Sequence, residues 1–247
     1  MPFQGGLVRP AGEHRLFGAL CGMTPLDQLL ALGDPVKAAE MVAYHKAPRR
    51  YLGIAVPVIT DLANGWRTDR SVAERVALAD ALWQTDIHEA RIAAAKLLTQ
   101  ARLRPDEAAW ELICAWVPDF DAWAIADHAC NAGERRLLAD PTRIETVEPW
   151  TTAPQMWTRR AALVMTLPWA KMNNLKPRDL VIRERVLGWA AEYVADRDWF
   201  IQKAVAWWLR DLSRHDPDRV RLFLATHGTG LRSFARHEAG KHLSPRV

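Results

Sequence analysis

The apolar residues of this chain recur at helical spacing in almost every segment, and this periodicity limits the fold more than any other feature. No run of alternating β-branched residues is bounded by hairpin turns. The predicted helix starts are Thr24-Pro25, Asp34-Pro35, Asp140-Pro141 and Asp216-Pro217, each an N-cap followed by a first-turn proline, and the capping box of Ser71 with Glu74. We therefore predict an all-α protein with about a dozen helices and short loops.

A stripe of small residues follows a charged or apolar position in several of these helices. If Ile92, Asp127, Arg160 and Lys203 are equivalent, the intervals between them are 35, 33 and 43 residues. Such spacing is typical of a degenerate two-helix repeat of the HEAT or armadillo kind. We predict a curved helical solenoid in which one helix of each pair lines a concave basic groove.

The chain is predicted to form a single repeat domain over residues 23–247, preceded by a loose N-terminal arm over residues 1–22. With 247 residues and 49% apolar content it can bury a large core without disulfides or a structural metal. The cysteines Cys21, Cys114 and Cys130 are widely spaced, which favours a reduced, cytoplasmic protein. We expect no signal peptide, no membrane span and a monomeric state.

Basic residues are concentrated in the C-terminal part of the chain. Residues 1–150 hold 16 Lys and Arg against 20 Asp and Glu, whereas residues 151–247 hold 17 against 9. An excess of this kind suggests a polyanionic partner such as nucleic acid or membrane. A solvated basic face is the alternative interpretation, and composition does not separate the two.

Well-known catalytic motifs are absent from the sequence. It contains no GxxxxGK[ST], GxGxxG, GxSxG or HExxH segment, so the most readable signatures of nucleotide hydrolysis, dinucleotide chemistry, serine hydrolysis and zinc proteolysis are missing. The histidines are scattered, and His237 and His242 are five residues apart, which does not place both on one helix face. We predict neither a metal site nor a cofactor.

Tryptophan, aspartate and basic residues nevertheless share helix faces. Trp123 and Asp127 are four residues apart, as are Trp199 and Lys203, and Lys203 and Trp207. On equivalent repeat helices with Arg160 between them, they would form a surface of aromatic planes, one carboxylate and several cations. The alternative is that each tryptophan packs in the core and Asp127 is solvated or ion-paired. Core packing is predicted for Trp83, Trp110, Trp116, Trp157 and Trp208.

An ordered set of segments between about Met41 and Leu243 resembles the DNA alkylation repair proteins of the AlkD type, which are HEAT-like-repeat DNA glycosylases. The segments are Ala43-Tyr44-His45-Lys46, Tyr51-Leu52-Gly53-Ile54, Leu82-Trp83, Trp123-Ala124-Ile125-Ala126-Asp127, residues 156–162 (MWTRRAA), residues 199–210 (WFIQKAVAWWLR) and Arg236-His237-Glu238-Ala239. The string around Lys203 that leads to Trp207 is the most specific of them. Ala122 departs from relatives that carry an aromatic residue before the catalytic tryptophan.

The resemblance implies a catalytic surface of Trp123, Asp127 and Trp207 around a damaged nucleotide, with Arg160 holding the DNA backbone. Tyr44, Phe200, Arg210 and Arg236 fall on positions implied to touch or support DNA. The basic segment adds Lys203 and Lys241 as phosphate contacts, and Trp199 neighbours the site. The implied partner is double-stranded DNA with alkylated bases, bound in an open groove where the base stays stacked.

The chemistry of the implied substrate agrees with a single carboxylate. Alkylation at N3 or N7 gives a purine a positive charge, so the base is already a good leaving group and Asp127 has only to stabilise an oxocarbenium-like sugar. Tryptophan faces attract such a cationic nucleotide. Two other hypotheses remain open: a non-catalytic HEAT-like protein that binds distorted or branched DNA, and a protein-binding helical scaffold.

Overall fold

The computed structural model describes residue 20 and residues 22–243, and within this part of the chain the regular secondary structure is helical. The α-helices are α1 (Pro25–Ala31), α2 (Pro35–His45), α3 (Val56–Trp66), α4 (Val72–Trp83), α5 (His88–Leu98), α6 (Glu107–Trp116), α7 (Trp123–Ala139), α8 (Ile144–Val147), α9 (Met156–Met165), α10 (Leu167–Lys171), α11 (Pro177–Glu192), α12 (Trp199–Leu212), α13 (Pro217–His227) and α14 (Ser233–Ala239). Short 3₁₀ segments join several of them, and the described residues contain no strand beyond one isolated bridge between Arg50 and Ile87. The all-α prediction is confirmed.

The predicted helix starts are present. Thr24, Asp34 and Asp216 each cap a helix by accepting a hydrogen bond from a first-turn backbone N–H. Ser71 and Glu74 form both hydrogen bonds of the capping box at the start of α4. Asp140 caps the 3₁₀ turn Pro141–Arg143, which leads into the single turn of α8.

One layer of helices runs through the molecule, with α3, α5, α7, α9, α12 and α14 in consecutive contact. The four positions predicted to be equivalent lie on α5, α7, α9 and α12 of this layer. The interval of 43 residues between Arg160 and Lys203 is the longest because both α10 and α11 lie between α9 and α12. Alanines where these helices meet are almost fully buried, and such small side chains let helix axes approach closely. We call this set of helices the inner layer.

The tryptophans predicted to be structural do pack in the core. Trp83, Trp110, Trp116 and Trp208 are at most 4% exposed, and Trp157 is partly buried against the same cluster. Trp83 stacks on Trp116 with ring centroids 4.3 Å apart. These tryptophans therefore contribute to the core, as predicted.

The predicted N-terminal arm, residues 1–22, lies outside the described residues except for Leu20 and Gly22, as does Cys21. Cys114 and Cys130 are both free thiols. None of the described helices combines the length and the apolar character needed to cross a bilayer.

A buried carboxylate connects α5, an inner-layer helix, to the segment that packs against α2. Glu89, at the start of α5, is fully buried and accepts backbone hydrogen bonds from Leu52, Gly53 and Ile54 at 2.8–3.3 Å. Gly53 has φ of +81°, and a Cβ there would lie 2.3 Å from the carbonyl oxygen of Asp34, so the loop passes directly against the start of α2. The segment over residues 51–54 thus fixes α2, which carries Tyr44, against α5.

We predict that Glu89→Gln lowers the free energy of unfolding by about 3 kcal/mol, because an amide offers one acceptor oxygen where a buried carboxylate serves three N–H donors. Urea denaturation measures the change. Glu111→Gln, at an exposed position of α6, is the matched control and is expected to change stability by less than about 0.5 kcal/mol. Equal effects of the two substitutions would contradict the anchoring role of Glu89.

Candidate functional site

A cleft of about 800 Å³ opens where α2, α7, α9, α12 and α14 meet. Its lining combines aromatic, basic and acidic side chains: Tyr44, Trp123, Asp127, Arg160, Trp199, Phe200, Lys203, Ala206, Trp207, Arg210, Phe234, His237 and Glu238. Residues separated by almost 200 positions in the sequence meet here because the inner-layer helices are stacked side by side.

Helix α7 contributes a tryptophan and a carboxylate one turn apart. Trp123 is half-buried, and its ring centroid lies 6.1 Å from that of Tyr44 and 5.4 Å from that of His45, both on α2. The Asp127 side chain keeps 26% of its surface exposed. Ala122, the N-cap residue, provides no side-chain hydrogen bond and is itself buried. The two predicted side chains therefore share the cleft face of α7.

Arg160, on α9, forms an ion pair with Asp127 through its Nη1. The Arg160 side chain is only 6% exposed, and its guanidinium carbon lies 5.7 Å from the ring centroid of Trp157. A guanidinium held in this way fixes the direction of the carboxylate that faces the cleft. The cation predicted to hold DNA thus lies directly behind the acid.

Helix α12 carries six of the cleft residues. The Trp199 ring packs on Phe234 of α14, with centroids 3.9 Å apart, and the Lys203 ammonium lies 6.0 Å from the Trp199 ring centroid. Trp207 is half-buried and donates a hydrogen bond from Nε1 to Oδ2 of Asp211 at 3.0 Å. Their shared lining of the cleft confirms that Trp199, Lys203 and Trp207 lie on one helix face.

Nine of the eleven predicted site residues line the cleft, and Arg236 and Lys241 do not. Arg236 is exposed on α14, and the Lys241 ammonium lies 3.9 Å from a carboxylate oxygen of Glu238. Sequence reasoning missed His237, Glu238 and Phe234, which line the cleft instead. The helical pattern of α14 is only seven residues long, too short to indicate which face is inward.

The charges of the cleft are mostly arranged in opposite-sign pairs. Arg160 pairs with Asp127, and Arg210 donates to Glu238 at 2.5 Å and to Asp211 at 3.3 Å. Among the described residues, Lys203 has no carboxylate partner. No group of three or more His, Cys, Asp or Glu side chains within that part of the chain is arranged to hold a metal ion. The cleft thus presents two partly exposed acids, Asp127 at 26% and Glu238 at 32%, each paired with an arginine. Of the two, Asp127 shares its helix face with a tryptophan.

A layer of histidine and tyrosine rings lies beneath Trp123. The His45 ring centroid is 4.6 Å from that of His88, which is 4.7 Å from that of Tyr51. His88 is 2% exposed, and burial, aided by the nearby charges of His45, Arg49 and His128, lowers its pKa from 6.5 to about 3. His88 therefore stays neutral in the folded protein.

This burial predicts a loss of stability on acidification. The unfolded chain protonates His88 as the pH falls through 6.5 while the folded chain does not, so the stability present above that pH declines towards pH 3. When the pH falls from 7.5 to 5.5, the free energy of unfolding of the wild type should decrease by about 1.4 kcal/mol more than that of His88→Phe or His88→Gln. Urea denaturation at both pH values measures this, and an unchanged pH difference in both variants would contradict it.

Comparison with known proteins agrees with this architecture. The solved structure of a predicted DNA alkylation repair enzyme from Enterococcus faecalis superposes with a TM-score of 0.73 at 22% identity, over 87% of this chain and 98% of that one. The crystal structure of AlkD2 from Streptococcus mutans gives 0.58 at 19% identity, over 78% and 91%. These likenesses establish the helical-repeat fold, and the search of curated proteins gave no match.

A protein-family model shows the family of the chain, which structural similarity alone does not. The model described as DNA alkylation repair enzyme matches residues 26–243, which is nearly all of the described chain. The match begins within α1 and extends beyond α14, so it includes every helix that contributes to the cleft. The chain therefore belongs to the DNA alkylation repair enzyme family.

Proposed function

We propose that this protein is a monofunctional DNA glycosylase that hydrolyses the N-glycosidic bond of cationic N3- or N7-alkylated purines in double-stranded DNA. The observation that carries the proposal is the partly exposed Asp127 carboxylate, which shares an open cleft with the rings of Trp123 and Trp207. Membership of a DNA repair family supports the same reading. The reaction would be the first step of base excision repair.

The proposed reaction needs one acid because the substrate base is already charged. Cleavage of the bond between C1′ and the purine nitrogen returns the electron pair to the base, which leaves as a neutral alkylpurine. Positive charge then develops on the deoxyribose, where Asp127 stabilises it and orients the water that adds to C1′. The water loses its proton on attack, and an apurinic site remains.

Arg160 has two tasks in this proposal. Its ion pair with Asp127 holds the carboxylate in place before the substrate binds. Its positive charge also attracts the phosphate beside the damaged nucleotide, although only 6% of the side chain is exposed. The carboxylate therefore meets a cationic sugar on one side and a fixed cation on the other.

The aromatic residues of the cleft recognise the charge of the lesion. An indole face contributes about 0.5–2 kcal/mol to binding a cation, depending on how dry the contact is. Trp123 and Trp207 are both half-buried, so their rings are held by packing while part of each remains accessible. Such a surface does not read base edges, and the open cleft suits a nucleotide whose base remains stacked.

The remaining predicted residues would bind the DNA backbone. Lys203 and Arg210 line the cleft with Tyr44, Trp199 and Phe200, while Arg236 and Lys241 lie outside it and would reach phosphates farther along the duplex. Contacts of this kind release counterions, so affinity falls steeply with salt. We propose that the protein acts as a monomer in the cytoplasm, associated with the nucleoid while bound to DNA.

The decisive experiment is base release from methylated duplex DNA. We expect the wild type to leave apurinic sites and Asp127→Asn to be slower by about 100-fold in single turnover, because one fixed charge opposite the developing cation is lost. Asp61→Asn, an exposed position on α3, is the control and should retain full rate. A wild type that releases no methylated purine overturns the proposal, and salt-dependent binding without release would then indicate a DNA-binding protein without chemistry.

Lys203 provides a test of the DNA interface. Its ammonium lines the cleft without a carboxylate partner in the described chain, so Lys203→Ala should reduce the salt slope of duplex binding by about 0.9, the value for one phosphate contact. Arg102→Ala is the control. Arg102 is exposed in the loop between α5 and α6, and the neighbouring Leu103 accepts a hydrogen bond from Arg136, about 20 Å along α7 from Trp123. Equal slopes for the wild type and Lys203→Ala would exclude Lys203 from the interface.

A further inference from the structure

Behind the cleft lies a carboxylate that the proposed chemistry does not use. Asp211 is on α12, one turn after Trp207, and its side chain is 12% exposed and is not part of the cleft lining. Its Oδ2 accepts the Nε1–H of Trp207 at 3.0 Å. The i, i+4 spacing on a helix makes this contact possible without any loop.

The same carboxylate is held on its other sides by cations. Oδ1 accepts from Nε and Nη2 of Arg210, both at 3.3 Å, and Oδ2 lies 3.5 Å from the Lys171 ammonium of α10. Arg210 in turn donates to Glu238 on α14. Asp211 is therefore fixed by α10 and α12 together, and it has little freedom to release the indole.

A hydrogen bond from an indole to a carboxylate has two physical effects on the ring. It removes rotation about the side-chain torsions, so that one face of Trp207 stays directed at the cleft. It also draws the Nε1 proton towards a negative charge, which increases the electron density of the ring and its attraction for a cation. Both effects act on the surface that would meet the damaged nucleotide.

We propose that Asp211 is a positioning residue that orients Trp207 and strengthens its attraction for a positively charged nucleotide. The inference rests on the proposed function for the identity of that nucleotide. In this proposal Trp207 is the ring that contacts the charged nucleotide. Asp211 also fixes the guanidinium of Arg210 at the cleft wall.

The experiment compares two duplexes that differ only in charge. One carries a cationic pyrrolidine in place of a single deoxyribose, and the other carries a neutral tetrahydrofuran at the same place. The ratio of their affinities measures recognition of the cation. General changes in phosphate binding, such as those expected when Arg210 and Lys171 lose a partner, affect both duplexes and cancel.

Asp211→Ala should lower the ratio by about fivefold, and Asp211→Asn by about twofold, because the amide oxygen still accepts the indole N–H but without charge. In a Trp207→Phe background, which has no Nε1–H, Asp211→Ala should leave the ratio unchanged. A loss of equal size in both backgrounds would show only that a distant negative charge attracts the cation, and it would overturn the positioning role.

Failure of this inference is distinguishable from failure of the proposed function. The affinity ratio needs no catalysis, so it can be measured even if the wild type releases no base. A further readout is the Nε1–H resonance of Trp207 in a ¹H–¹⁵N correlation spectrum, assigned by its absence in Trp207→Phe. We expect it to move upfield in Asp211→Ala and to be largely restored in Asp211→Asn, whereas an unmoved resonance would overturn the inference.

Discussion

The close approach of the inner-layer helices is the constraint on which the cleft depends. Alanines such as Ala93, Ala126, Ala161 and Ala204 are at most 2% exposed where these helices meet. Small side chains let each helix lie close to the next, so the residues on the neighbouring helix face point into one shared space. Asp127 of α7 reaches Arg160 of α9 for this reason. Larger residues at those positions would separate the acid from its partner.

Ion pairs between neighbouring repeats accompany this packing. Arg143 meets Asp106 at 2.9 Å, Arg159 meets Asp196 at 3.0 Å, and Arg219 meets Glu184 at 2.7 Å, with sequence separations of 35 to 37 residues. The Arg160–Asp127 pair, separated by 33 residues, follows the same pattern within the cleft. The pair at the candidate site is thus a variant of a contact that the fold uses repeatedly.

This pattern changes the meaning of the basic C-terminal part of the chain. Several of its arginines have partners within the fold. Arg159 and Arg219 form ion pairs, and Arg183 donates to the carbonyl oxygens of Trp169 and Met172 at 2.9 and 2.7 Å. A count of charges cannot distinguish such groups from free cations, because their partners lie elsewhere in the sequence. Part of the basic excess is therefore already paired or hydrogen-bonded within the fold.

Local patterns in the sequence were sufficient for the helix starts and the inner-layer positions, and they predicted the shared helix faces of the cleft tryptophans. The family resemblance was needed for Tyr44, Phe200 and Arg210. The i, i+4 spacing of Trp123 and Asp127 predicted a shared face because α7 is long and regular. Helix α14 is short, so the choice between Arg236 and His237 depended on a rotation of about 100° that only tertiary contacts determine. Glu89 was missed for a similar reason, since its three backbone partners lie more than 30 residues earlier.

The pairing of charges also suits the proposed substrate. A damaged nucleotide in DNA combines a cationic base with an anionic backbone. A site for it must therefore present both negative and positive charges, arranged so that neither repels the duplex. Asp127 alone would repel phosphates, but Arg160 compensates its charge while leaving 26% of the acid side chain exposed. Lys203, by contrast, remains available to the backbone. In the proposed function, discrimination in favour of cationic lesions would then depend on the rings beside the acid. Trp207 would be oriented by its hydrogen bond to a second carboxylate, Asp211, rather than by the substrate.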